Sequence, residues 1–120
     1  MPKVVLDTNA LLLPFERSIN IDAQLRSLLG ECQVFVPGPI VGELKRSSSK
    51  HAPAALRLLS RYTIEDTEAT GDRAVIELAE RMNAYVVTND RALIIKLRQK
   101  RIKVIMMRGG SHLALDDPYA

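Results

Sequence analysis

Short runs of β-branched and apolar residues alternate with amphipathic stretches along nearly the whole chain, and this alternation restricts the fold more than any other feature. Lys3 to Leu6, Gln33 to Val36, Tyr62 to Glu65, Ala84 to Val87 and Lys103 to Met107 read as strands. Most are continuous apolar runs, the pattern of strands covered on both faces. Between them Ile21, Leu25, Leu28 and Leu29 recur at helical spacing, as do Ala55, Leu58, Leu59 and Tyr62, and again Val75, Leu78, Ala79 and Met82. Pro37-Gly38-Pro39 breaks the chain after the second strand, and Pro39 suits the first position of a helix reaching about Ser47. Pro53 opens the next helix and Gly71 precedes another. Strands joined through helices need crossover connections, so the pattern predicts a three-layer α/β/α domain around a parallel sheet. Ligands of such sheets sit outside the carboxyl ends of the strands, where strand order reverses.

At 120 residues, 47% of them hydrophobic, the chain is expected to form a single domain over 1–120. Gly109-Gly110-Ser111 onward reads as a surface tail over about 109–120, with Asp116 and Asp117 solvated. No apolar run reaches the ~18 residues of a membrane span, and Asp7 interrupts the opening segment too early for a signal peptide. A cytoplasmic protein with no membrane partner is expected. Cys32 is the only cysteine and His51 and His112 the only histidines, which leaves neither a disulfide pair nor a Cys/His zinc spacing. The formal charge of +3 permits a polyanionic partner without establishing one.

The functional question is then which residues follow the strands. Asp7 follows the first directly, and Asp90 comes three residues after Val87, across Thr88 and Asn89. Glu43 lies one turn inside the helix after Val36, and helical side chains tilt toward the N-terminus, so its carboxylate can reach back to the strand ends. Asp72 opens the helix that carries Val75 to Met82. Each acid alone has a bland explanation: Asp7, Asp72 and Asp90 stand where helices begin, and an Asp N-cap contributes ~1 kcal/mol. Glu43 can pair with Arg46 on a solvated face. Capping does not explain why Thr8-Asn9 and Thr88-Asn89, compact and oxygen-bearing, flank Asp7 and Asp90. Four carboxylates at one sheet edge would repel by about 3 kcal/mol per pair at ~5 Å and an effective dielectric of ~20. A cation offsets that, or some of the acids stay protonated. Oxygen donors without Cys or His select a hard ion, Mg²⁺ or Mn²⁺, and the chemistry such a site performs is metal-assisted phosphodiester hydrolysis.

Val4-Val5-Leu6-Asp7-Thr8-Asn9-Ala10-Leu11-Leu12, Val36-Pro37 with Glu43-Leu44, Gly71-Asp72 leading Ala74 to Ala79, and Val86-Val87-Thr88-Asn89-Asp90-Arg91-Ala92-Leu93 together resemble the four acidic motifs of PIN-domain nucleases. The resemblance spans nearly the whole chain. It implies a five-stranded parallel sheet in the order 3-2-1-4-5 and an Mg²⁺- or Mn²⁺-dependent endoribonuclease acting on single-stranded RNA. It also implies that Asp7, Glu43, Asp72 and Asp90 are the catalytic, metal-binding acids. Thr8, Asn9, Thr88 and Asn89 would then orient an acid or a phosphate. The segment Asp7 to Phe15 is further similar to archaeal PIN proteins related to the pre-ribosomal RNA endonucleases, which implies ribosomal RNA maturation or RNA quality control, with a ribosome-assembly partner. Toxins of VapBC-type toxin-antitoxin pairs share the fold and the acids, so a toxin RNase with an antitoxin partner stands beside that reading. Small PIN domains often pair, which makes a homodimer an expectation.

Seven of the 17 basic residues fall between Arg91 and Arg108, either as a phosphate-tracking surface or as an ordinary solvated face. Lys45, Arg46 and Lys50, with His51 beside them, lie nearer the proposed site and are the better candidates for RNA contacts, together with Arg91. Aromatic residues make up only 4%, and Phe15, Phe35, Tyr62, Tyr85 and Tyr119 fall mostly where a core would take them. A phospho-acceptor receiver domain has similar length and architecture, but it requires paired acids after the first strand and a Lys after the last. Asp7 is followed by Thr8 and Asn9, and the last expected strand runs into Arg108. A haloacid-dehalogenase-like phosphatase needs an Asp where Asn9 stands. A non-catalytic RNA-binding module of the same fold would gain nothing from four mutually repelling acids.

Overall fold

The computed structural model describes residues 1–116. Asp117 and Tyr119, expected in the solvated tail and the core respectively, lie outside the described residues. The chain runs β1 (Lys3–Leu6), α1 (Thr8–Glu16), α2 (Ile21–Leu29), β2 (Gln33–Pro37), α3 (Gly38–Arg46), α4 (Ala52–Leu58), β3 (Thr63–Glu65), α5 (Asp72–Met82), β4 (Tyr85–Val87), α6 (Arg91–Gln99), β5 (Val104–Arg108) and β6 (His112–Leu115), with one 3-10 turn over Leu59–Arg61.

Boundaries follow local chemistry. Asn20 caps α2 by accepting from the Ala23 N–H, and Gly30 ends that helix at φ +75°, a conformation glycine adopts without strain. Asn83 closes α5 in the left-handed region. The five expected strands are all present, parallel, in the order β3-β2-β1-β4-β5. Val4, Val5 and Leu6 of the central strand are fully buried, as are Val86 and Val87 beside them. Helices cover both faces. Short β3 departs from the buried pattern: it is the edge strand, and Ile64 is exposed.

The expected tail is corrected. Gly109 and Gly110, both at positive φ, turn the chain into β6, which pairs antiparallel with β5 from Arg108↔His112 to Ile105↔Leu115. Leu113 is buried, and its N–H donates to Gln24 Oε1 on α2. Asp116 is not a freely solvated acid either. Its carboxylate accepts two hydrogen bonds from the Arg98 guanidinium, at 2.7 and 2.8 Å, and Arg98 holds it below the ordinary carboxylate range. Among the described residues no helix is long and apolar enough to cross a membrane.

Register places the functional edge. Leu6 pairs with Val87, so the next residues on the two strands, Asp7 and Thr88, leave the sheet side by side. From β1 the chain moves outward to β2 and β3, then returns to the other side of β1 with β4. The crevice between β1 and β4 is therefore the switch point of strand order, where ligands of such sheets bind.

Candidate metal centre

Asp7 is the buried member of the site, 6% exposed at the N-cap of α1. One carboxylate oxygen accepts from the Ala10 N–H at 2.7 Å, and the other accepts from the hydroxyl of Thr88, itself fully buried. Burial pushes the Asp7 carboxyl up to about 6. The two hydrogen bonds act against that shift, while the carboxylates of Asp90 and Asp72 add to it, so Asp7 feels both of the other acids.

Asp90 is exposed and caps α6, its Oδ1 accepting from Ala92 and Leu93 N–H at 2.9 and 3.2 Å. Its own N–H donates to Thr88 Oγ1 at 3.1 Å. Thr88 thus donates to one acid and accepts from the backbone of the next, coupling Asp7 to Asp90 through one buried hydroxyl. Glu43, half-buried on α3, accepts from the Thr8 hydroxyl at 2.6 Å, which ties it to the residue directly after Asp7. Asp72 is the first residue of α5 rather than its cap, and its carboxylate lies 3.8 Å from Lys96 Nζ on α6. The structure therefore brings Asp90 and Asp72 within electrostatic reach of buried Asp7 at the carboxyl edge of the sheet, and links Glu43 to them only through Thr8.

The remaining expected residues divide by role. Asn9 Oδ1 accepts from the Asn89 N–H, and Asn89 Oδ1 accepts from the Met107 N–H, each at 3.0 Å. These two amides clasp α1, the turn after β4, and β5 together, holding the Thr88–Asp90 turn in place. Lys45, Arg46 and Lys50 are exposed around the end of α3, and Arg91 is exposed directly after Asp90. His51 stacks on Phe15, ring centroids 6.4 Å apart. Sequence reasoning missed Lys96 as a neighbour of the site. Nothing in the sequence marks it, because its meeting with Asp72 depends on how α6 packs beside α5.

Among the described residues, no three His, Cys, Asp or Glu side chains stand close enough together to enclose an ion. Hydroxyls engage Asp7 and Glu43, and Lys96 engages Asp72, yet Asp90 and Asp72 still act to raise the Asp7 carboxyl. The donor set still fits a hard cation. Mg²⁺ keeps several of its waters and is held through one or two carboxylates plus substrate phosphates, so a closed protein cage is not required. Asp7 and Asp90, joined through Thr88, would be the residues to hold it together with Asp72.

A family profile described as "PIN like domain" matches residues 4–110. Ribonuclease VapC9 of Archaeoglobus fulgidus is 32% identical over 107 residues, covering 83% of this chain and 78% of that protein. Ribonuclease VapC4 of Methanocaldococcus jannaschii is 32% identical over 120 residues, covering 90% and 92%. Among solved structures, the PIN domain endonuclease Utp24 superposes with a TM-score of 0.80 at 17% identity, over 95% of this chain and 90% of that one. VapBC2 from Rickettsia felis, bound to a DNA fragment from its promoter, superposes with a TM-score of 0.62 at 18% identity, over 88% and 99%. These last two likenesses bear on the fold alone. The register of β1 on β4, the acids gathered beyond it and the match across residues 4–110 lead to one assignment: this chain belongs to the PIN-like domain family.

Proposed function

We propose that this protein is a divalent-metal-dependent endoribonuclease that hydrolyses phosphodiester bonds of single-stranded RNA. The observation that carries the reading is Asp7, buried at the switch point between β1 and β4 and coupled to Asp90 through Thr88, with burial and the neighbouring acids Asp90 and Asp72 pushing its carboxyl up. An acid held so disfavours its own ionisation until a cation shares the site. Asp7, Asp90 and Asp72 would hold Mg²⁺ or Mn²⁺, with Glu43 oriented by Thr8 beside them. When bound, the ion supplies Lewis acidity, offsetting phosphate charge and favouring hydroxide at neutral pH. The chain's own residues do the positioning. Thr88 fixes the Asp7 carboxylate in its rotamer, the Asn9–Asn89 clasp sets the turn that presents Asp90, and the exposed Arg91 and Lys45 would contact the phosphates. The test is cleavage of an unstructured RNA with Mg²⁺ or Mn²⁺. Activity abolished by EDTA and by Asp7→Asn supports the reading, and cutting that survives both refutes it.

The 32% identity to two proteins named VapC ribonucleases, each covered over more than three quarters of its length, supports a toxin role more directly than ribosomal RNA maturation. In that reading the protein acts in the cytoplasm and is restrained by an antitoxin. Growth arrest on induced expression, relieved by the product of a neighbouring gene, tests it. Arrest by an Asp7→Asn variant as strong as by the native protein would count against it.

A further inference from the structure

The basic residues of α6 and its C-cap divide between two faces, Arg91 and Arg98 on one and Lys96 and Lys100 on the other. A cavity of about 800 Å³ runs between α5 and α6, lined by Arg73, Glu77 and Glu80 on one side and Lys96, Gln99 and Lys100 on the other. At its upper end Lys96 meets Asp72, a member of the candidate metal centre. At its lower end Glu80 and Lys100 also line a second cavity of about 430 Å³, which continues to Arg101, Lys103 and Tyr85 at the opposite edge of the sheet. Sharing Glu80 and Lys100, the two cavities adjoin along the ~14 Å length of α6.

Charge along these cavities is mostly of one sign. Arg73, Lys96, Lys100, Arg101 and Lys103 are all exposed, and the acids facing them are Glu77, Glu80 and, at the upper end, Asp72. Glu77 is partly spent on Arg81, at 3.8 Å, and on the backbone N–H groups of Glu68 and Ala69. The Lys96–Asp72 and Lys100–Glu80 pairs, each at 3.8 Å between side chains about half exposed, are of the kind that contributes little to stability and opens readily for a competing anion. Arg73, Arg101 and Lys103 have no ion pair among the described residues. Complementing the helix dipoles accounts for cations at the end of α6, but not for Lys103, which lies beyond it. It accounts still less for Arg73, placed in the first turn of α5 where the dipole disfavours positive charge. Lys103 Nζ stands 5.3 Å from the centroid of the Tyr85 ring, so the far end joins cations to an aromatic surface, the composition of single-strand nucleic-acid sites.

We propose that the α5–α6 groove is a track for the RNA strand, leading from the candidate metal centre to an exosite made by Arg101, Lys103 and Tyr85. This rests on the ribonuclease reading for the identity of the polyanion. It is tested by fluorescence anisotropy of a labelled, unstructured RNA of about twenty nucleotides with the full chain in EDTA, where binding is read without cleavage. Each phosphate contact to a single strand contributes a salt slope of about 0.7, or roughly 5-fold in affinity at 0.1 M salt. The double variant Arg101→Asn, Lys103→Gln should therefore bind about 25-fold more weakly, with the slope flattened by about 1.4. Asn suits position 101 because φ there is +59°. Arg73→Gln should lose about 5-fold on its own, which keeps the test open should the double variant fail to fold. Arg57→Gln, exposed on α4, should change nothing. Unchanged affinity and slope in folded variants overturn the track and would leave the groove to a protein partner. RNA that binds through the groove and is never cut with Mg²⁺ or with Mn²⁺ would refute the nuclease reading instead, while leaving the track in place.

Discussion

Replacing Asp7 with Asn should stabilise the metal-free protein while abolishing its activity. In the folded chain the Asp7 carboxyl sits at about 6 against an ordinary 3.8, with burial the leading cause. A raised carboxyl pKa means that the folded state holds a proton the unfolded chain has released. Ionisation therefore costs the fold nothing below 3.8, progressively more through that window, and its full amount above about 6. At ~1.4 kcal/mol per pH unit, the full amount is about 3 kcal/mol at pH 7.5. Asn carries no charge and can keep the bond from the Ala10 N–H through its carbonyl oxygen. Its amide nitrogen would face a Thr88 hydroxyl that now donates to Asp7 and already accepts from Asp90, a mismatch costing about 1 kcal/mol. The net expectation in EDTA at pH 7.5 is a gain of about 2 kcal/mol, roughly 8 °C in Tm for a domain of this size.

Urea unfolding in EDTA, at pH 7.5 and again at pH 5, checks both magnitude and sign. The native protein should gain about 1.4 kcal/mol on acidification over that range and Asp7→Asn should gain none of it, because the titrating group is gone. Adding Mg²⁺ at pH 7.5 should raise the stability of the native protein by mass action and leave the variant unmoved. A variant less stable than the native protein at pH 7.5, or a native protein that does not strengthen as pH falls toward 5, would show that Asp7 is an ordinary satisfied cap and that the reasoning about its burial is wrong.

Asp90→Asn separates capping from chemistry. Asn caps helices as well as Asp, so stability by urea unfolding should stay within about 0.5 kcal/mol while cleavage falls at least ~100-fold; equal activity would reduce Asp90 to a cap. Thr88→Val deprives both the Asp7 carboxylate and the Asp90 N–H of a buried partner. It should cost about 2 kcal/mol in urea and move the rise of activity with pH to the alkaline side, since the hydroxyl holds the Asp7 carboxyl down. Leu113→Ala should cost about 3 kcal/mol, as for a packed core leucine, where a solvated tail would give a change near zero by the same measurement.

Which features were legible in the sequence follows from how local their causes are. β1 and β4 announce themselves because a buried central strand needs only apolar residues, and Asp7 and Thr88 end those runs abruptly. Their adjacency follows from strand order and register, which the alternation implies once helices must cross over. The graded burial of the acids does not follow, because it depends on how α5, α3 and α6 pack over the strand ends. Lys96 shows the limit: on its own helix it is one more exposed cation, and only the α5–α6 packing turns it toward Asp72. β6 was hidden for another reason. A Gly-Gly turn after a strand is a hairpin signal, but in His112–Leu115 only Leu113 is buried, and its N–H is held by the Gln24 side chain from a helix nearly ninety residues earlier. The candidate acids are thus easier to read than the proposed RNA track. The acids must sit at strand ends, where chain polarity changes, whereas a binding groove is made of exposed residues whose neighbours are decided by packing alone.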